Sequence, residues 1–118
     1  MARKARLPLV RREQADRDID AALGHYLDIS VSAADGFVSA IERAFAHVQR
    51  APATGSPRWA HELNIPGLRS WVCTRYPYIV FYMLLPDRIE VWRVLHAKRD
   101  IPAWLTEDNE ARPADGEN

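Results

Sequence analysis

Apolar residues along the chain change their period twice, and those changes predict six elements. Over residues 5–11, Leu7 and Leu9 alternate with Arg6, Pro8 and Val10, the two-residue period of a strand. Pro8 has no N–H for a ladder, which places this strand at an edge or bulge. From Glu13 the spacing becomes helical: Ala15, Ile19, Ala22, Leu23, Tyr26 and Leu27 form one stripe, with Asp16, Arg17, Asp18, Asp20 and His25 opposite. Gly24 weakens this helix by about 1 kcal/mol relative to alanine, so it marks either close packing or a backbone that tolerates the loss. Ser32 followed by Asp35 resembles a capping box for a second helix, carried by Ala34, Phe37, Val38, Ile41, Ala44, Phe45 and Val48 and ended by Pro52 and Gly55. So short a link makes the two helices an antiparallel hairpin.

Three strands follow, over 68–75, 77–85 and 88–96. In the first, Leu68, Ser70, Val72 and Thr74 alternate with Arg69, Trp71, Cys73 and Arg75. The second, Tyr78 to Leu85, is apolar on both faces, as a strand covered on both sides requires. Pro86-Asp87-Arg88 turns into the third, where Ile89, Val91, Arg93 and Leu95 alternate with Glu90, Trp92, Val94 and His96. Short connections favour an antiparallel meander. The fold class is α+β, in the order β-α-α-β-β-β, with the helical hairpin packed on an antiparallel sheet.

At 118 residues the chain has material for one core. It contains no apolar run of membrane-spanning length and no signal-type apolar stretch after Arg3, Lys4 and Arg6, so a cytoplasmic protein without membrane contact is expected. The lone cysteine, Cys73, fits a reducing compartment. Zero net charge hides an asymmetry: from Thr106 onward, Glu107, Asp108, Glu110, Asp115 and Glu117 face only Arg112. Residues 106–118 read as an acidic, flexible tail on a mildly basic domain of residues 1–105.

Most catalytic chemistries find no support. The four histidines, His25, His47, His61 and His96, lack nearby carboxylate or cysteine partners at ligand spacing, so neither metal nor cofactor is predicted. Gly55 and Gly67 form no phosphate-cradling loop. Cys73, between Val72 and Thr74 in a strand, reads as a buried inert thiol. The sheet instead offers a cationic surface through Arg69, Arg93, His96, Lys98 and Arg99.

Pro66-Gly67-Leu68-Arg69-Ser70-Trp71, then Tyr76-Pro77-Tyr78 entering an apolar strand, then Leu95-His96 leading to Arg99-Asp100-Ile101-Pro102 resemble, in order and spacing, the ParE branch of the ParE/RelE toxin family. Asp18-Ile19 through Tyr26, Ile41-Glu42-Arg43-Ala44 and Pro52 with Gly55 extend the resemblance over about residues 7–105. The resemblance implies a type II toxin that inhibits DNA gyrase without a catalytic group of its own. It also implies a ParD-like antitoxin that alone contacts operator DNA.

RelE-like members cut messenger RNA on the ribosome. A ribonuclease needs a base, an acid and cations around the phosphate. Between Ala53 and Leu63 the only cation is Arg58, no lysine is present, and no tyrosine follows Ile101. On the RelE alternative, Arg69, Arg93, His96 and Arg99 would be the working residues; a third alternative is an inactive homologue serving only as antitoxin partner and co-repressor. On the ParE reading, Arg69, Arg93, His96, Lys98, Arg99 and Trp104 are candidates for touching the target. The apolar helix residues Leu23, Leu27 and Ile29 are candidates for the antitoxin, since exposed apolar ground marks an interface.

Overall fold

The computed structural model describes residues 6–98 and 101; Arg99, Trp104, the acidic tail and the first residue of the expected strand 5–11 lie outside these residues. The elements are β1 (Leu9–Arg11), α1 (Glu13–Ile29), α2 (Val31–Arg50), a 3-10 turn (Pro52–Thr54), α3 (Arg58–Leu63), β2 (Leu68–Val72), β3 (Tyr78–Leu84) and β4 (Ile89–His96). Strands β2, β3 and β4 form the expected antiparallel meander. β1 joins it in parallel beside β4, making a mixed sheet ordered β1-β4-β3-β2. Pro8 sits before the edge strand β1, where its carbonyl accepts from Ile89 N at 2.9 Å and its missing donor costs nothing. β1 ends at Arg11 as predicted, where Arg12, whose N–H bonds to Val91 O, takes the N-cap of α1; it is shorter than predicted at its start, where Pro8 has no N–H for a ladder.

The helical hairpin turns on a single residue. Ser30 is extended (φ −173°, ψ 157°); its N–H closes α1 on Tyr26 O and its Oγ accepts from Ala33 N at 2.9 Å to open α2. The predicted cap at Ser32 is therefore displaced by two residues. Val31 and Ser32 are weak helix formers, which hid the true start.

One apolar cluster lies between the hairpin and the sheet, built on Phe37, Ile41 and Val48 against Val80, Tyr82, Ile89, Val91 and Val94. Each such side chain contributes about 1.5–3 kcal/mol by leaving water. The opposite face is also covered, as the apolar β3 requires: Leu68, Phe81, Trp92, Leu95 and Ile101 pack with Trp59 and Leu63 of α3. The sequence predicts only a loop from Ala53 to Leu63, since at six residues α3 is too short for periodicity to reveal. It stops at Asn64, which takes a left-handed φ of 57°.

Strict alternation along β4 does not hold. A register shift sets Phe81 opposite Arg93 and Tyr82 opposite Val91, so that Trp92 is the extra residue of a β-bulge. This bulge sends Trp92 and Leu95 to the α3 face, and Ile89, Val91 and Val94 to the hairpin face. At the other edge β2 ends at Val72, three residues earlier than predicted, and Arg75 turns the chain with a φ of 74°.

Candidate functional site

Asp18 was expected on the solvent side of α1, yet it points into the sheet. Its carboxylate accepts from Arg93 Nε at 2.8 Å, from Arg93 Nη2 at 2.9 Å and from the Val94 N–H at 2.9 Å. Arg93 is only 2% exposed. The two-pronged geometry satisfies both charges, as burial demands. Arg93 is thus a bolt between α1 and β4, and the cation expected from it at the surface is absent.

Beside this bolt opens a cleft of about 410 Å³ between α1 and the exit of β4, lined by Asp18, Ala21, Ala22, His25, Tyr78 and His96 among others. His96 stands edge-on to the Tyr78 ring at 5.2 Å, and its Nδ1 accepts from the Lys98 N–H at 3.1 Å. That bond fixes the ring at the cleft mouth and leaves Nε2 as its other polar atom. Lys98 is exposed next to it. The cleft thus gathers His96 with His25 and Tyr78. His25 was passed over in the sequence because it lies seventy-one positions from His96.

Arg69 does not join this cleft. From β2 its Nη1 donates to the carbonyls of Ala53 and Gly55, at 3.1 and 2.8 Å, holding the segment after α2 against the sheet. Tyr82, next to it, donates to Pro52 O at 2.6 Å; burial raises its phenol pKa, so it stays a donor. Arg69 and Arg93 therefore serve different places, and the described candidates do not converge on one phosphate. Cys73 is buried, and desolvation pushes its thiol up to about 11, partly countered by Arg43. Among the described residues no group of three His, Cys, Asp or Glu side chains is placed to hold a metal ion, and no helix is long and apolar enough to cross a membrane.

The antitoxin candidates divide. Leu23 is half-buried and packs against the core, whereas Leu27 and Ile29 are 51% and 62% exposed at the hairpin corner. Val31, 68% exposed, continues that corner, outside the apolar stripes by which the sequence marks the two helices. A second groove, about 450 Å³, runs along the outer side of the hairpin between Ile19, Phe37, Val38, Ile41 and Phe45, with Arg11, Asp16, Asp20 and Glu42 on its rim. Apolar floor and charged rim suit an amphipathic segment.

Comparison with known proteins agrees with this architecture. The family model "ParE toxin of type II toxin-antitoxin system, parDE" matches residues 9–101. A solved structure described as "Chromosomal ParDE TA system from P. aeruginosa" superposes with a TM-score of 0.66, at 22% identity, covering 78% of this chain and 97% of that one. At that identity the likeness is one of fold. No curated protein matches the chain in sequence. With the family model spanning most of its length, from β1 to the buried Ile101, this chain belongs to the ParE toxin family of type II toxin-antitoxin systems.

Proposed function

We propose that this toxin acts by docking onto DNA gyrase, stalling it on DNA and blocking replication, and that a ParD-like antitoxin neutralises it by laying an amphipathic segment on the hairpin. The observation carrying this reading is the bolt between Asp18 and Arg93: the arginine that a nuclease of this architecture would aim at a phosphate is 2% exposed and fully engaged. Arg69 is turned to backbone carbonyls, so among the described residues neither arginine converges on His96 as acid-base cleavage of RNA requires. What remains is a rigid sheet with surfaces for binding. The cleft at the end of β4, with His96 and Lys98 at its mouth, is the surface assigned to the target, and Leu27, Ile29 and Val31 begin the surface assigned to the antitoxin.

The test is induction without antitoxin in growing cells, following gyrase-linked DNA breaks and transcript integrity together. The proposal expects early DNA breaks, intact transcripts, and relief on co-expression of the antitoxin. Transcript cleavage within ribosomes that disappears in His96→Ala would replace it with the nuclease reading, and unimpaired growth with soluble protein would leave only the role of antitoxin partner.

A further inference from the structure

Helix α2 and strand β2 lie side by side in matched register. Arg43 is near enough to Cys73 for its charge to act on the thiol, and His47 stacks on Trp71 at 3.7 Å with planes 15° apart. Arg69 reaches the carbonyls of Ala53 and Gly55 just past the helix end. Four helical residues advance about 6 Å and two strand residues about 6.8 Å, so the first two of these pairs fit the rise of helix and strand. Arg43, His47 and Arg50 share one face of α2 by their spacing of four and three. Arg75 extends the row beyond β2, and Arg43, Arg50 and Arg75 are all exposed.

This ridge differs from every other arginine cluster among the described residues. Arg11, Arg12, Arg17, Arg58, Arg88 and Arg93 each have a carboxylate partner. Arg43, Arg50, Arg69 and Arg75 form no ion pair with a described residue. Residues 43–86 contain five arginines and a single carboxylate, Glu62, which is held by Arg58.

We propose that the ridge is a binding site for the phosphate backbone of duplex DNA. Guanidinium forks match phosphate oxygens and keep their charge at any working pH. From Arg43 to Arg50 the helix advances about 10.5 Å, close to three base-pair steps of about 3.4 Å. Screening confines each charge to about 10 Å at 0.1 M salt, so the local patch acts although the whole chain is neutral. Two features favour a duplex over other polyanions. Trp71 is already capped by His47, which removes the stacking platform that single strands use. The edge of β2 is closed at Ser70 by its two-way bridge to Ser56, and the two clefts described above lie elsewhere, so an acidic peptide finds neither strand edge nor groove. Such a contact carries no sequence information and is separate from operator recognition through the antitoxin. It stands whether or not gyrase is the target.

The test is fluorescence anisotropy of a labelled mixed-sequence duplex with the full chain, between about 50 and 200 mM salt. Three phosphate contacts, from the exposed Arg43, Arg50 and Arg75, predict a log–log salt slope of about −2.7. The double reversal Arg43→Glu/Arg50→Glu is expected to weaken binding at least tenfold at low salt and to reduce the slope to about a third, with an unchanged circular-dichroism spectrum. Arg17→Glu/Arg58→Glu, on α1 and α3, matches that change in net charge away from the ridge and should retain most of the affinity. Three results would overturn the site: no binding at about 50 mM salt, binding by the double reversal equal to the parent, or a polyglutamate peptide that binds more tightly than the duplex and loses that affinity in the same variant.

Discussion

Residues 13–42 and residues 43–86 close the same core from both sides, yet their surfaces are opposites. The first stretch has seven carboxylates against Arg17, and an apolar corner of Leu27, Ile29 and Val31 left in water. The second has five arginines against Glu62. Both obey the hydrophobic periods that build the fold. What separates them is the residue choice at positions the core does not use, and there selection for partners is free to act. The acidic, apolar half suits a protein segment, and the arginine half suits a polyanion.

The comparison breaks most severely at the bolt joining α1 to β4. Asp18→Ala strands the buried guanidinium of Arg93 and the N–H of Val94, and equilibrium urea unfolding should show a loss of about 3–5 kcal/mol. Pairing it with Arg93→Met should recover part of that loss, because removing both charges removes the unmet one. Gly36→Ala comes next. A Cβ there would overlap the Tyr76 hydroxyl, which donates to Ala33 O, so either the Tyr76 ring gives up that bond or α2 shifts; about 1–3 kcal/mol is expected by the same measurement.

Leu27→Asp/Ile29→Asp should leave folding within about 0.5 kcal/mol, since both side chains are more than half exposed. Calorimetric titration with a ParD-like antitoxin should nevertheless show at least a tenfold loss, about 1.4 kcal/mol. Full affinity in that variant would place the antitoxin elsewhere.

On the arginine side, Cys73 gives a pH test confined to alkali. Its folded thiol holds its proton up to about 11, against 9.0 for an ordinary one, so the folded state binds more protons between these values. Stability from this group is complete below pH 9 and declines as pH rises through that window. Cys73→Ser should flatten that decline. Smallest is Gly24→Ala: nothing lies within 4 Å of a Cβ there, so thermal unfolding should show a gain of about 0.5–1 kcal/mol.

Element order was legible because long amphipathic periods dominate the sequence, and Pro8 announced an edge. What stayed hidden followed from tertiary context. The bulge at Trp92 shifts the faces of β4 beyond it through one extra residue, which no alternation count reveals. Asp18 looked like one more solvent carboxylate until the fold brought Arg93 beside it, seventy-five residues away. For the same reason Arg69 and Arg93 read as surface cations, whereas one ties a loop and the other is buried. The arginine ridge left a signal in the long carboxylate-poor stretch, but its meaning depended on α2 lying along β2.

The claim that binding rather than bond breaking is this toxin's work is tested most directly with purified gyrase, relaxed plasmid and ATP. Titrating in the protein should accumulate gyrase-linked linear DNA and suppress supercoiling, His96→Ala should weaken this by no more than a modest factor, and added antitoxin should reverse it. Undisturbed supercoiling at saturating toxin, alongside messenger-RNA cleavage on ribosomes by the same preparation, would contradict the account.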